Sequence, residues 1–216
     1  MKKYYFLLIL GLFFFSNTAS SSEYLEPNES LLSDALASRL EQRGDFCLGK
    51  FEWPIDVSLE DDTAKTNDAI QMPALEKAGL VSSTNEQVTS KEGETETHLT
   101  VKRYVLSDTG KKFYLEREST TTTSSGIKVL HHGDLCPAKL SLSKIVKWEK
   151  PFKSGENWET TARYTYKVKA ADWANDPDIQ KVFPLLSRII HGEGNMQLQQ
   201  RFRFSGQAWI AIGPLD

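Results

Sequence analysis

The chain has 216 residues, 39% of them apolar, with 26 basic and 29 acidic side chains. The slight acidic excess gives no electrostatic reason to expect nucleic acid as a partner. After the first fifteen residues no apolar stretch approaches the ~20 residues of a membrane-spanning helix.

The N-terminus has the pattern of a secretory signal peptide. Lys2 and Lys3 supply the positive start, Tyr4 to Phe15 is unbroken apolar sequence, and small and polar residues follow from Ser16 to Ser22. The apolar core is too short to span a bilayer, and this order of charge, core and small residues marks an export leader cleaved near residues 19–22. No cysteine lies near the cleavage region, which excludes a lipid anchor on a new N-terminal Cys. Removing the leader takes Lys2 and Lys3 away and moves the formal charge from −3 to −5. The remaining ~195 residues suffice for one large or two small domains. The short leader and the sparse cysteines point to a bacterial protein, periplasmic or secreted, with no membrane span after cleavage. The expected modules are residues 23–126 and 127–216, which can also merge into one compact domain.

Cys47 and Cys136 are the two cysteines, and an even pair in an exported chain predicts one disulfide. It would close a loop of about 90 residues, worth ~4–5 kcal/mol in the chain-entropy description.

In chain order, the first predicted element is a helix capped by Asn28 or Ser30, with Leu31, Leu32, Ala35, Leu36 and Leu40 on one face. Gly44 stands where a left-handed residue would end it. Residues 45–57 are apolar and aromatic, hence buried and partly extended, and 58–67 read as a loop. Asn67 can cap a helix that Pro73 interrupts or restarts. Ala74 to Val81 reads as helix, Gly79 stop and strand. A hairpin then turns at Lys91-Glu92-Gly93-Glu94 and returns through Val101 to Leu106.

The stretch 68–115 resembles the back half of a winged-helix domain. The similarity rests on a Leu75-Glu76-Lys77-Ala78-Gly79-Leu80-Val81 helix end, a hairpin wing, and a closing Tyr104-Val105-Leu106-Ser107-Asp108-Thr109-Gly110-Lys111-Lys112-Phe113 segment. The resemblance implies DNA contact through the helix before the wing. That helix carries Gln71, Glu76 and Lys77 and has no basic face, so the resemblance implies a local shape and no activity.

Beyond a Ser/Thr tract at 119–126, readable as a loop or an edge strand, the chain is β-rich. Leu140, Leu142, Val146 and Trp148 alternate with polar residues, interrupted at Lys144 and Ile145. Tyr164, Tyr166, Val168 and Ala170 face one way, with Arg163, Thr165, Lys167 and Lys169 opposite. Met196, Leu198, Phe202 and Phe204 oppose Gln197, Gln199, Arg201 and Arg203. Period-two patterning with one apolar face predicts an antiparallel sheet covered on one side. The cover is a helix capped by Asn175, kinked or split at Pro184 and ended by Gly192. The fold class is therefore α+β: an N-terminal helix and winged-helix-like hairpin module, then an antiparallel sheet covered by one kinked helix.

Chemistry-bearing residues are sparse. His131, His132 and Asp134 lie together just before Cys136 and are the candidate metal ligands or hydrolytic residues. The plainer reading makes them a polar turn leading into half of a disulfide. His191 follows a helix and lacks the second histidine of the helical zinc-protease motif. No nucleophile elbow or phosphate-cradling Gly-rich loop is present, so neither a catalytic residue nor a cofactor is expected. Arg163, Lys167, Lys169, Arg201 and Arg203 would form a basic binding face if their strands pair. Its target would be an acidic envelope protein, a polysaccharide or a lipid headgroup. Trp53, Trp148 and Trp209 are expected in the core. The leading expectation is an exported, soluble, non-enzymatic protein that binds a partner as an inhibitor, immunity or accessory factor. An exported hydrolase using His131, His132 and Asp134, and a structural subunit of an envelope assembly, are the alternatives.

Overall fold

The computed structural model describes residues 24–92 and 95–213; the predicted leader and the predicted turn at Gly93-Glu94 lie outside the described residues. The first helix, α1 (Glu29–Arg43), begins where the Asn28 side chain accepts a hydrogen bond from the Leu31 N–H at 3.0 Å. Leu32, Leu36 and Leu40 form its fully buried face. Gly44 ends it, though not in the expected left-handed conformation: its φ is −79°. The glycine answers a close approach of backbone. A Cβ there would collide with the carbonyl oxygens of Leu40 and Leu140, and the Leu140 N–H donates to the Gly44 carbonyl at 2.7 Å.

That contact docks α1 on a six-stranded antiparallel sheet. Its strands are β1 (Asp45–Phe46), β9 (Ala138–Trp148), β10 (Phe152–Ser154), β11 (Asn157–Ala170), β12 (Leu198–Phe204) and β13 (Trp209–Ile212). The order is β1-β9-β11-β12-β13, with β10 pairing the start of β11. The inner face places Leu140, Ile145, Ala162, Tyr164, Tyr166, Phe202 and Trp209 against the leucines of α1. Two irregularities in the β9–β11 pairing leave Ser143 and Val146 without a partner. They rotate Ile145 inward and Val146 outward, which is why the apolar alternation of this strand fails at Lys144 and Ile145. Trp148, expected in the core, is 38% exposed, whereas Trp209 is buried and Trp53 packs at the margin of a second core.

That second core is built from both halves of the chain. A three-stranded sheet orders β2 (Ile55–Ser58), β4 (Thr95–Leu106) and β3 (Val81–Glu92). Against it lie the short α2 (Leu59–Ala64) and the longer α3 (Asn67–Lys77). Thr66, one residue before Asn67, caps α3, and the helix runs through Pro73 without interruption. Proline inside a helix costs about 3 kcal/mol, and burial of Ala69, Met72 and Leu75 on the same helix offsets that cost. The helix and hairpin are followed by α4 (Asp108–Lys111).

Four short strands follow: β5 (Tyr114–Leu115) pairs β8 (Asp134–Leu135), and β6 (Ser119–Thr122) pairs β7 (Lys128–His131). The Ser/Thr tract is therefore strand at its start. The disulfide joins Cys47 to Cys136 and ties the loop after β1 to the entry of β9.

After β11, a 3-10 turn (Asp172–Asn175) leads to α5 (Pro177–Val182) and α6 (Pro184–His191). Asp176, not Asn175, caps α5 by accepting from the Asp178 N–H at 2.7 Å. The expected kinked helix is two helices, because Pro184 removes a backbone donor and Phe183 before it leaves helical geometry at φ −122°, ψ 71°. The two pieces divide between the cores unequally: Ile179 of α5 and Leu186 of α6 join α3 and the three-stranded sheet, while Ile189 of α6 joins the six-stranded one. The sheet is thus covered by α1 and α6 together. The two cores do not follow residue order: α1 packs with the C-terminal sheet, and α5 packs with the hairpin unit. The class is mixed α+β with antiparallel sheets.

Candidate functional site

The histidine–aspartate cluster disperses on folding. His131 is 8% exposed, stacks on the Phe51 ring at 3.8 Å between centroids, and shares a 2.8 Å hydrogen bond between its Nε2 and the Thr121 hydroxyl. Its Nδ1 lies 3.3 Å from Glu52. His132, the next residue, is exposed and lies 3.7 Å from Glu118. Asp134 turns to a third place. Its carboxylate accepts the N–H groups of Gly49 at 3.1 Å and Lys50 at 2.7 Å, pinning the loop beside the disulfide. Burial pushes the Asp134 carboxyl above its ordinary range, against the pull of those N–H groups. Cys136 is committed to its bridge. Among the described residues no group of three or more His, Cys, Asp or Glu side chains could hold a metal ion. His131 packs on Phe51, Asp134 anchors the Gly49–Lys50 loop, and His132 faces solvent. His191 ends α6 with Nδ1 2.8 Å from the Ser187 carbonyl oxygen.

The basic residues come together instead. β11 pairs with β9 and β12, so Arg163, Lys167 and Lys169 lie on the outward face of the six-stranded sheet, as do Arg201 and Arg203. These five fall into two groups. Glu159, only 3% exposed, lies directly across from Arg203 and accepts from it at 2.9 and 3.0 Å; Arg201 comes within 3.8 Å of the same carboxylate. Arg203 is therefore paired, and Arg201 shares the same single negative charge at longer range. Arg163, Lys167 and Lys169 have no carboxylate partner among the described residues.

Two residues outside the predicted set join them. Lys147 stands opposite Arg163, and Lys144 opposite Thr165. The alternation of β9 already set Lys147 opposite its apolar residues, a signal that could have included it; Lys144 needed the irregular register. Arg163 also faces Gln199 across β12. Between them is a hollow of about 150 Å³ lined by Lys147, Trp148, Glu149, Thr161, Arg163 and Gln199. The result is a pleated face with exposed cations Lys144, Lys147, Arg163, Lys167 and Lys169 separated by small polar residues. Positions on neighbouring strands are ~4.8 Å apart, and alternate positions along a strand ~6.7 Å. Such a face attracts extended or multivalent anions; it holds no nucleophile–base pair.

The rest of the surface differs. Lys77 meets Asp178, Lys102 meets Glu76, and Arg103 is clamped between Asp56 and Glu86. These cations of the hairpin unit are each held by a carboxylate, unlike the five on the large sheet.

The chain matches no protein-family model, no curated protein and no solved structure. No helix among the described residues is long and apolar enough to cross a membrane.

Proposed function

We propose that this chain is an exported, soluble protein of the bacterial envelope. It acts without catalysis, binding an anionic partner through the outward face of its six-stranded sheet. The observation that carries the reading is the set Lys144, Lys147, Arg163, Lys167 and Lys169 on one face, without carboxylate partners among the described residues. The formal charge of the whole chain is −3, so clustering of unpaired cations runs against the composition. A single-sign patch of this kind speeds encounter with acidic partners and selects their register. The partner is an acidic envelope protein or an anionic polysaccharide, and the chain serves as an inhibitor, immunity or accessory factor. The leader pattern and the Cys47–Cys136 bridge support an oxidising compartment, periplasmic or extracellular.

The test is a pull-down from envelope extract with the tagged protein and with Lys144→Glu/Arg163→Glu/Lys167→Glu. The parent should retain a stoichiometric partner that elutes as salt rises past the screening range, and the variant should lose it. Undiminished capture by the variant, or no partner for either, removes the reading. Cell fractionation with N-terminal sequencing tests export: recovery from the cytosol with Met1 intact overturns it.

A further inference from the structure

A second site lies on the opposite side of the same sheet. Between α1 and α6 is a cleft of about 590 Å³, within the range of small-molecule sites. Its floor is Leu140, Tyr164 and Leu198, from β9, β11 and β12, and Leu185 of α6 stands at its edge, 52% exposed. Arg39 and Arg43, one turn apart on α1, and Arg188 on α6 surround this apolar floor. Among the described residues Asp45 is the one acid on the lining, and Arg117 holds it at 2.9 Å. Arg39 donates from Nη2 to the Gly213 carbonyl at 2.6 Å, while its buried Nε has no hydrogen-bond partner. Arg43 and Arg188 are exposed and have no carboxylate partner among the described residues.

This arrangement sets two demands on an occupant. A purely apolar molecule would cover the floor but leave the Arg39 Nε, Arg43 and Arg188 beside it without an anionic partner. A small hydrophilic anion would satisfy the arginines and leave the leucine and tyrosine surface wet. An alkyl chain ending in a carboxylate or phosphate meets both demands, since guanidinium forks bind such groups bidentately and each buried methylene adds to affinity.

We propose that the cleft binds an anionic amphiphile, its chain on Leu140, Tyr164 and Leu198 and its head group held by Arg43 and Arg188. The site is independent of the basic sheet face. The ligand chemistry is shared by free fatty acids and by anionic phospholipids, and the test separates these sources.

Calorimetric titration of the purified protein uses decanoate below its micelle threshold, with 1-decanol as the neutral control. Decanoate should bind saturably at one site, at least tenfold tighter than 1-decanol. Octanoate, two methylenes shorter, should bind roughly 15-fold more weakly. Arg43→Gln/Arg188→Gln alters two exposed side chains, so its melting should match the parent. It should lose at least tenfold in decanoate affinity with 1-decanol unchanged. Absence of saturable decanoate binding, equal affinity for the acid and the alcohol, or full affinity in the variant overturns the proposal. In a sedimentation arm with phosphatidylglycerol vesicles, binding that falls with the same variant assigns the membrane as source. Decanoate binding without vesicle binding assigns the free acid. Vesicle binding that survives Arg43→Gln/Arg188→Gln and falls with Lys144→Glu/Lys167→Glu, in the absence of monomer binding, belongs to the sheet face and overturns the cleft.

Discussion

Glu159 lies directly across β11–β12 from Arg203, and one of its carboxylate oxygens accepts two hydrogen bonds from that guanidinium, at 2.9 and 3.0 Å. This pair sets the edge of the basic face, because beyond it the cations of β11 and β9 are unpaired. Glu159→Gln keeps an acceptor, removes the charge and releases Arg201 and Arg203 to the face. Stability should fall by about 1–2 kcal/mol, since Glu159 is buried while Arg203 is partly solvated. Affinity for the anionic partner should rise. Denaturant melts and salt-dependent pull-downs measure the two effects, and a rise in stability would contradict the pairing.

The Cys47–Cys136 bridge spans 89 positions and ties the loop after β1 to β9. Cys47→Ser should lower stability by roughly 4 kcal/mol under oxidising conditions, a drop in melting temperature on the order of 10 °C for a chain of this size. Reductant should bring the parent down to the variant. Identical melting of both proteins, with and without reductant, would show that the bridge contributes nothing.

Gly44 and Gly79 are required for different reasons, and their alanine variants should differ. At Gly44 the backbone is ordinary, but a Cβ meets the carbonyl oxygens of Leu40 and Leu140, which cannot move without separating α1 from β9. Gly44→Ala should cost roughly 2–3 kcal/mol. At Gly79 φ is +76° and the space is open, so Gly79→Ala should cost only about 1 kcal/mol for the left-handed backbone. Chemical denaturation ranks the two, and the reverse order would refute the close approach.

Stability should decline on the acid side. The Arg103 guanidinium holds the Asp56 carboxyl below its ordinary range, Lys102 and then Ser83 do the same for Glu76, and the Ser58 hydroxyl and N–H lower Asp61. A lowered folded-state value means that each contribution is complete above the unfolded value, near pH 4, and disappears as pH falls through the folded one. Asp134 has the opposite sign. Burial raises it, so its ionisation costs the fold at neutral pH, and that cost is relieved as pH falls through its folded value. Asp56→Asn should therefore flatten the acid limb of the stability profile. An unchanged limb in urea melts between pH 2 and 6 would remove Asp56 from this role.

How much of the fold and its sites could be read in advance varied with the distance over which each feature acts. The caps came close: Asn28 is the cap of α1, while Thr66 and Asp176 stand one residue from Asn67 and Asn175. The alternation of β11 placed Arg163, Lys167 and Lys169 on one face correctly, since alternate side chains on a strand must share a side. The path of β9 escaped it, because its two irregular positions exist only in its pairing with β11. His131, His132 and Asp134 look like a cluster along the chain and separate in space, since their partners Thr121, Glu118 and the Gly49–Lys50 loop lie elsewhere in the chain.

By itself the sequence determined the mixed α+β class with an antiparallel sheet, the pairing of its two cysteines, and which side of β11 carries charge. Each follows from local periodicity or from there being a single possible pair. Tertiary structure alone decided that Glu159 neutralises Arg203, that Lys144 joins the basic face, and that α1 and α6 frame an arginine-ringed cleft. Those relationships depend on long-range register and helix placement, which the burial of two interlocking cores sets and no local pattern records.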